Sequence, residues 1–204
     1  MPSSVTLVLG KHWALWKMRS AASQTFRRRS RQVVVLLDLD RVQEATKILA
    51  SAVEAHPQSP ELKNSEGLAA LRQNNVKQAE VYFQHSLALK PDYNDALVNH
   101  AISLMLLKRS AEALPEFKQA LQDDPKNLKA QSNLAQALFD LDHFTEASDA
   151  YARAIELSPA SPYLHTNRGL ALEKAGHPNE AKKELEEAKR LAAANGKAPT
   201  TPSK

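Results

Sequence analysis

Apolar and small residues recur along this chain at a fixed interval, broken by prolines. Pro57, Pro91, Pro125 and Pro159 are each 34 residues apart. Twelve residues before each proline stand Ala45, Ala79, Ala113 and Ala147, and the series continues at Ala181. Eight before each stand the large residues Leu49, Phe83, Phe117 and Tyr151, continued by Leu185. Five before each stand Ala52, Ser86, Ala120 and Ala154, continued by Ala188. An internal period of this length marks a stack of small repeated units rather than one continuous core.

Within each period the spacing predicts two helices. Gly67, Ala101, Ala135 and Gly169, with Val33 in the first copy, put a small residue on the first helix. Leu104, Leu138 and Leu172 add an apolar stripe at near-helical spacing on the same element. The alanine columns place small residues on the second helix, where Phe83, Phe117 or Tyr151 fills the space left between the pair. The proline ends that helix, because it lacks an N–H and restricts the residue before it. A single hairpin of this kind cannot bury its apolar face alone, so neighbours must stack.

This register resembles the tetratricopeptide repeat, a 34-residue helix–turn–helix unit. The match covers residues 26–195 as five copies, at 26–59, 60–93, 94–127, 128–161 and 162–195. The resemblance implies an all-α, right-handed α-solenoid. The large residue common at the family's fourth position is Arg29, Lys63, Leu97, Gln131 and His165 here, which leaves that packing site mostly lost. The first copy is degenerate, since "RRRSRQVVVLL" supplies a β-branched run where a helix is required. The last helix, "NEAKKELEEAKRLAAANG", is charged on its outer side and suits a capping role. Pro178 fits its first turn, whereas Pro115 lies deeper in a helix and is expected to bend it slightly.

In that family the first helices line a concave groove. The resemblance places Asn99, Asn133 and Asn167 on the groove floor one repeat apart, with Ser65 at the same position earlier. An amide is both donor and acceptor, so such a row can pair with the main chain of an extended peptide. Solvated asparagines inherited through duplication are the competing reading. Three such bonds supply roughly 2–4 kcal/mol at ~1 kcal/mol each. Micromolar binding needs about 8 kcal/mol. Leu68, Val98, Ile102 and Leu170 are the groove positions expected to add apolar contact, and Lys129 and Gln136 make the fourth copy's floor more polar. A two-carboxylate clamp, also known in the family, would use Asn99 and Lys129. It is incomplete here, because Asn64 and Asn133 stand where it needs lysine and arginine.

Composition narrows the remaining classes. The 204 residues contain five glycines and no cysteine, which leaves no phosphate-cradling glycine loop, thiolate metal site or cysteine nucleophile. The seven histidines are scattered, and His143 and His177 read as turn residues rather than as metal ligands. Glu66, His100 and Arg168 share one repeat position and are expected on an exposed polar edge, with a Glu66–His100 pair as the alternative. No catalytic constellation stands out, so no enzyme activity, cofactor or small-molecule substrate is expected. Residues 1–37 hold seven Lys or Arg and no acid, leaving 20 bases against 23 acids, a sum of −3, for the rest. Residues 1–25 are thus open to reading as a disordered tail, a mitochondrial or plastid transit peptide, or an arm for nucleic acid or anionic lipid. Residues 196–204 read as a disordered tail.

The expected function is a protein-interaction adaptor, cytoplasmic unless the basic segment is a targeting signal. It would take an unidentified protein or extended peptide in its groove. A nucleic-acid-associated helical repeat is the alternative, disfavoured by the negative body. Self-association through Val33–Leu37 and Leu39 is a third.

Overall fold

The computed structural model describes residues 31–195, and the chain divides after Pro91 into two compact units. Unit one contains α1 (residues 31–38), α2 (Val42–Ala55), α3 (Pro60–Arg72) and α4 (Val76–Leu89). Unit two contains α5 (Asn94–Leu106), α6 (Ser110–Asp123), α7 (Leu128–Asp140), α8 (Phe144–Leu157), α9 (Pro162–Lys174) and α10 (Pro178–Asn195). The described residues form ten helices and no strand. The readings placed on residues 1–25 and 196–204 fall outside the described residues.

Two features of the backbone repeat with the sequence. The residue before each period proline (His56, Lys90, Asp124 and Ser158) is extended, with φ of −139°, −146°, −134° and −144°. The proline ring forces that geometry, and the second helix stops there. Between the two helices of each hairpin one residue is left-handed: Asp40, Asn74, Lys108, Asp142 and Gly176, with φ of 57°, 59°, 64°, 61° and 86°. The next residue's N–H then reaches back across the turn. Arg41 bonds the Leu36 carbonyl at 2.8 Å, Arg109 that of Leu104 at 2.9 Å, and His177 that of Leu172 at 2.8 Å. These bonds satisfy carbonyls that the end of a helix would otherwise leave open.

Starts are less uniform. The Ser59 hydroxyl accepts from the Leu62 N–H at 3.2 Å, and the Asn127 side chain accepts from the Ala130 N–H at 3.0 Å. Pro60 and Pro162 open α3 and α9 in the first turn, where a missing N–H costs nothing. α6 runs through Pro115 without interruption.

Packing follows the small-against-large columns. Phe83, Phe117 and Tyr151 are each fully buried, as are Ala79, Ala101, Ala113, Ala135 and Ala147. A Cβ built on Gly67 would lie 2.3 Å from the Phe83 ring, and one on Gly169 would lie 2.9 Å from Leu185. The glycines are therefore where paired helices come closest. Ser86 replaces an alanine at a fully buried position, and its hydroxyl donates to the Pro60 carbonyl at 2.7 Å. That bond removes the penalty of burying it.

The β-branched run at 31–38 is helical despite its low propensity. Val33, Leu36 and Leu37 lie on one side and are buried with Ala45, Leu49 and Leu62. Burial of three large side chains outweighs a propensity deficit of about 0.5 kcal/mol per β-branched residue. This divides the apolar surface expected at Val33–Leu37. Only Val34, Val35 and Leu39 remain exposed, at 40%, 54% and 61%.

Candidate binding groove

The first helices of the hairpins carry the anticipated groove residues, and the structure treats them unequally. On α3, Asn64 and Ser65 are buried, and the Ser65 hydroxyl donates to its own helix at the Glu61 carbonyl, 2.9 Å away. Leu68 is half-buried against the core of unit one. On α5, Val98 and Asn99 are buried and Ile102 is half-buried. On α7, Lys129 is exposed, while Asn133 and Gln136 are half-buried. On α9, Leu170 is 41% exposed and Asn167 half-buried. Tyr163, one turn before Asn167 on the same helix, is 58% exposed.

The three asparagine amides differ in their partners. Asn99 Oδ1 accepts from Lys129 Nζ at 2.8 Å, a link between α5 and α7. Asn133 Nδ2 donates to the Lys129 carbonyl one turn back, at 2.8 Å. Asn167 Nδ2 is sealed from solvent without a hydrogen-bond partner. Identical residues at identical repeat positions diverge because their neighbours do. A lysine reaches Asn99, and Asn133 takes the local bond to its own helix that competes with outward contacts. Gln136 is also engaged, accepting from the Tyr151 hydroxyl at 2.9 Å and donating to Asp140 at 2.8 Å. Burial raises the Tyr151 hydroxyl well above the ordinary phenol range, so it stays a donor.

Four further sites were misjudged from sequence. The fourth repeat position does not lose its packing; it becomes polar packing. Lys63 Nζ pairs with Glu66 at 2.7 Å and lies 5.9 Å from the centre of the Tyr82 ring. Gln131, buried, donates to the Ala150 carbonyl at 3.1 Å. His165, also buried, contacts Glu184 at 2.6 Å, and Leu97 is an ordinary core residue. The position shared by Glu66, His100 and Arg168 is not an exposed edge either. His100 is buried and pairs within its own hairpin with Glu116, at 2.7 Å, rather than with Glu66. Arg168 donates to Glu184. A signal for this was present in the sequence. Glu116 and Glu184 share one repeat position and face the shared position of His100 and Arg168.

No helix among the described residues is long and apolar enough to cross a membrane. Helix hairpins at a 34-residue interval, packed alanine or glycine against one large residue, define a helical-repeat protein of the interaction-scaffold class. Three family models described as tetratricopeptide repeat match residues 31–94, 104–166 and 162–195. The chain belongs to the tetratricopeptide repeat family.

Among curated relatives, it is 26% identical over 178 residues to a DnaJ homolog subfamily C member 7 homolog of Dictyostelium discoideum. That alignment covers 79% of this chain and 33% of the relative. It is 30% identical over 110 residues to small glutamine-rich tetratricopeptide repeat-containing protein 2 of Mycosarcoma maydis, covering 54% and 31%. The chain thus spans about a third of the length of these relatives. A solved MamA structure from Desulfovibrio magneticus superposes with a TM-score of 0.73 at 19% identity, covering 84% of this chain and 95% of that one. YrrB gives 0.66 at 18% identity, covering 83% and 91%. These two likenesses bear on the fold.

Proposed function

We propose that this chain is a non-enzymatic adaptor that binds an extended peptide segment of a partner protein along the first helices of unit two. The observation that carries the proposal is the outward face of α9. Tyr163 and Leu170 stand exposed seven residues apart, with Asn167 between them on the same side of the helix. Covering both side chains would remove roughly 200 Å² of apolar surface from water, or ~5 kcal/mol before association costs. Hydrogen bonds from Asn133 and Asn167, at ~1 kcal/mol each, bring the sum near what micromolar binding requires. The solved neighbour YrrB is itself titled a tetratricopeptide protein with an unusual peptide-binding site, which supports peptide binding as the mode.

The test begins with a random-peptide display library selected on the full chain. Enriched peptides are synthesised and titrated calorimetrically. Tyr163→Ser with Leu170→Ser is expected to weaken binding at least tenfold, and changing Asn99, Asn133 and Asn167 together to alanine to weaken it further. Equal affinity in both variants would overturn the assignment.

A further inference from the structure

Two histidines are buried at the seams of hairpins in unit two, and their partners impose different proton counts. His100 presents Nδ1 to both oxygens of Glu116, at 2.7 and 2.8 Å, while its Nε2 is sealed with no partner. One proton, on Nδ1, satisfies that site, and a second would be a buried donor with nothing to bond. His165 is placed otherwise. Its Nδ1 lies 2.6 Å from Glu184 Oε2, and its Nε2 lies 3.0 Å from the Pro159 carbonyl. A carbonyl can only accept. Glu184 also accepts from Arg168 through its other oxygen, which requires the carboxylate form. Both ring nitrogens of His165 therefore face acceptors.

We infer that His165 is held doubly protonated in the fold and acts as a proton-dependent latch, tying α9 to α10 and to the turn that follows α8. Neutral His165 would turn a lone pair toward one of its two acceptors, and that contact would open. Glu184 anchors the α10 side, and Pro159 lies in the α8–α9 connection. The surrounding charges support the arrangement. On α10 the inward acids are Glu184 and the half-buried Glu187, and Glu187 is itself held by Arg190. Arg190 keeps the Glu187 carboxyl below the usual range, with a smaller contribution from His165. The other charged residues of α10 are exposed, as are Glu146, Asp149, Arg153 and Glu156 of α8. Residues 158–162 contain no charged group. On α9 itself Arg168 is the nearby cation.

The sign follows from the proton count. The folded state binds one proton that the unfolded chain releases once pH exceeds the ordinary imidazole range. The latch therefore stabilises the last hairpin at lower pH and is lost as pH rises. The test is a long-range proton–nitrogen correlation spectrum of the labelled full chain at about pH 7.5, above the ordinary imidazole range. His165 is expected to show two protonated ring nitrogens and His100 only one. A bare nitrogen on His165 would overturn the inference. Glu184→Gln is expected to strip the second proton from His165 at the same pH, and its retention would equally count against the latch. Should that variant fold poorly, hydrogen exchange on the wild-type chain provides the second measurement. Opening of α9 and α10 relative to α5 and α6 should increase between about pH 6 and pH 8.5, after correction for intrinsic exchange. A pH-independent ratio would rule the latch out.

Discussion

Gly67→Ala should destabilise unit one even though alanine is the better helix former. A Cβ at that position would lie 2.3, 2.6 and 2.7 Å from three atoms of the Phe83 ring. Carbon atoms in contact sit about 3.5–4.0 Å apart, so ring or helix must retreat by roughly an ångström. Phe83 is fully buried among Ala70, Ala79, Leu71 and Tyr82, which leaves it no open side. Overpacking at a site this closed belongs near the upper end of the ~1–3 kcal/mol range. Alanine returns about 1 kcal/mol in helix propensity, for a net loss of about 2 kcal/mol. The equivalent Gly169 provides the control. Its Cβ would lie 2.9 and 3.0 Å from Leu185 atoms and 3.3 Å from the Ala181 carbonyl. Leu185 is only half-buried and can give way, so Gly169→Ala should come out within about 0.5 kcal/mol of neutral. Urea unfolding followed by circular dichroism measures the first effect. Hydrogen exchange localises it, with α3 and α4 amides opening roughly 30-fold more often. Combining Gly67→Ala with Phe83→Leu, which copies the Gly169–Leu185 geometry, should recover part of the loss. If Gly67→Ala alone raised the midpoint, the close approach of α3 and α4 would be refuted.

Two further substitutions probe the same repeat. Lys108 is exposed and left-handed at a turn where glycine is the natural residue, so Lys108→Gly should stabilise unit two by about 0.5–1 kcal/mol, read as a rise of several degrees in the melting temperature. An unchanged or lower melting point would show that the turn carries no strain. Ala147→Leu adds three carbons at a fully buried contact in the α7–α8 hairpin and should cost about 1–3 kcal/mol, and a thermal melt matching the wild type would count against the register.

What the sequence made legible was set by side-chain volume. Ala79, Phe83 and Gly67 announce close helix packing because only small residues fit there, and period and fold class follow from those columns. The left-handed column at 40, 74, 108, 142 and 176 was missed because Asp, Asn, Lys, Asp and Gly share a backbone conformation and no side-chain property. Proline, by contrast, imposes its conformation and is visible. The polar seams were missed for a different reason. His100, Gln131 and His165 look like exposed residues until their partners, Glu116, the Ala150 carbonyl and Glu184, are known. Those partners lie 15 to 20 residues away on the other helix of the hairpin.

The asparagine column shows where repetition stops carrying information. Asn99, Asn133 and Asn167 occupy one repeat position, so symmetry suggests one role for all three. Their amides nonetheless meet a lysine ammonium, a carbonyl one turn back, and no partner at all. A repeat constrains the backbone and the small buried residues, because every copy must stack on the same kind of neighbour. It does not constrain the half-exposed side chains around an amide, and those decide which of its donors and acceptors are taken. Binding energy along α5, α7 and α9 should therefore be unequal by repeat. Tyr163 and Leu170, whose exposure does not depend on a polar partner, should contribute more than any one asparagine. Single substitutions at these five positions, titrated against one selected peptide, would separate an uneven profile of this kind from three equal asparagine contributions.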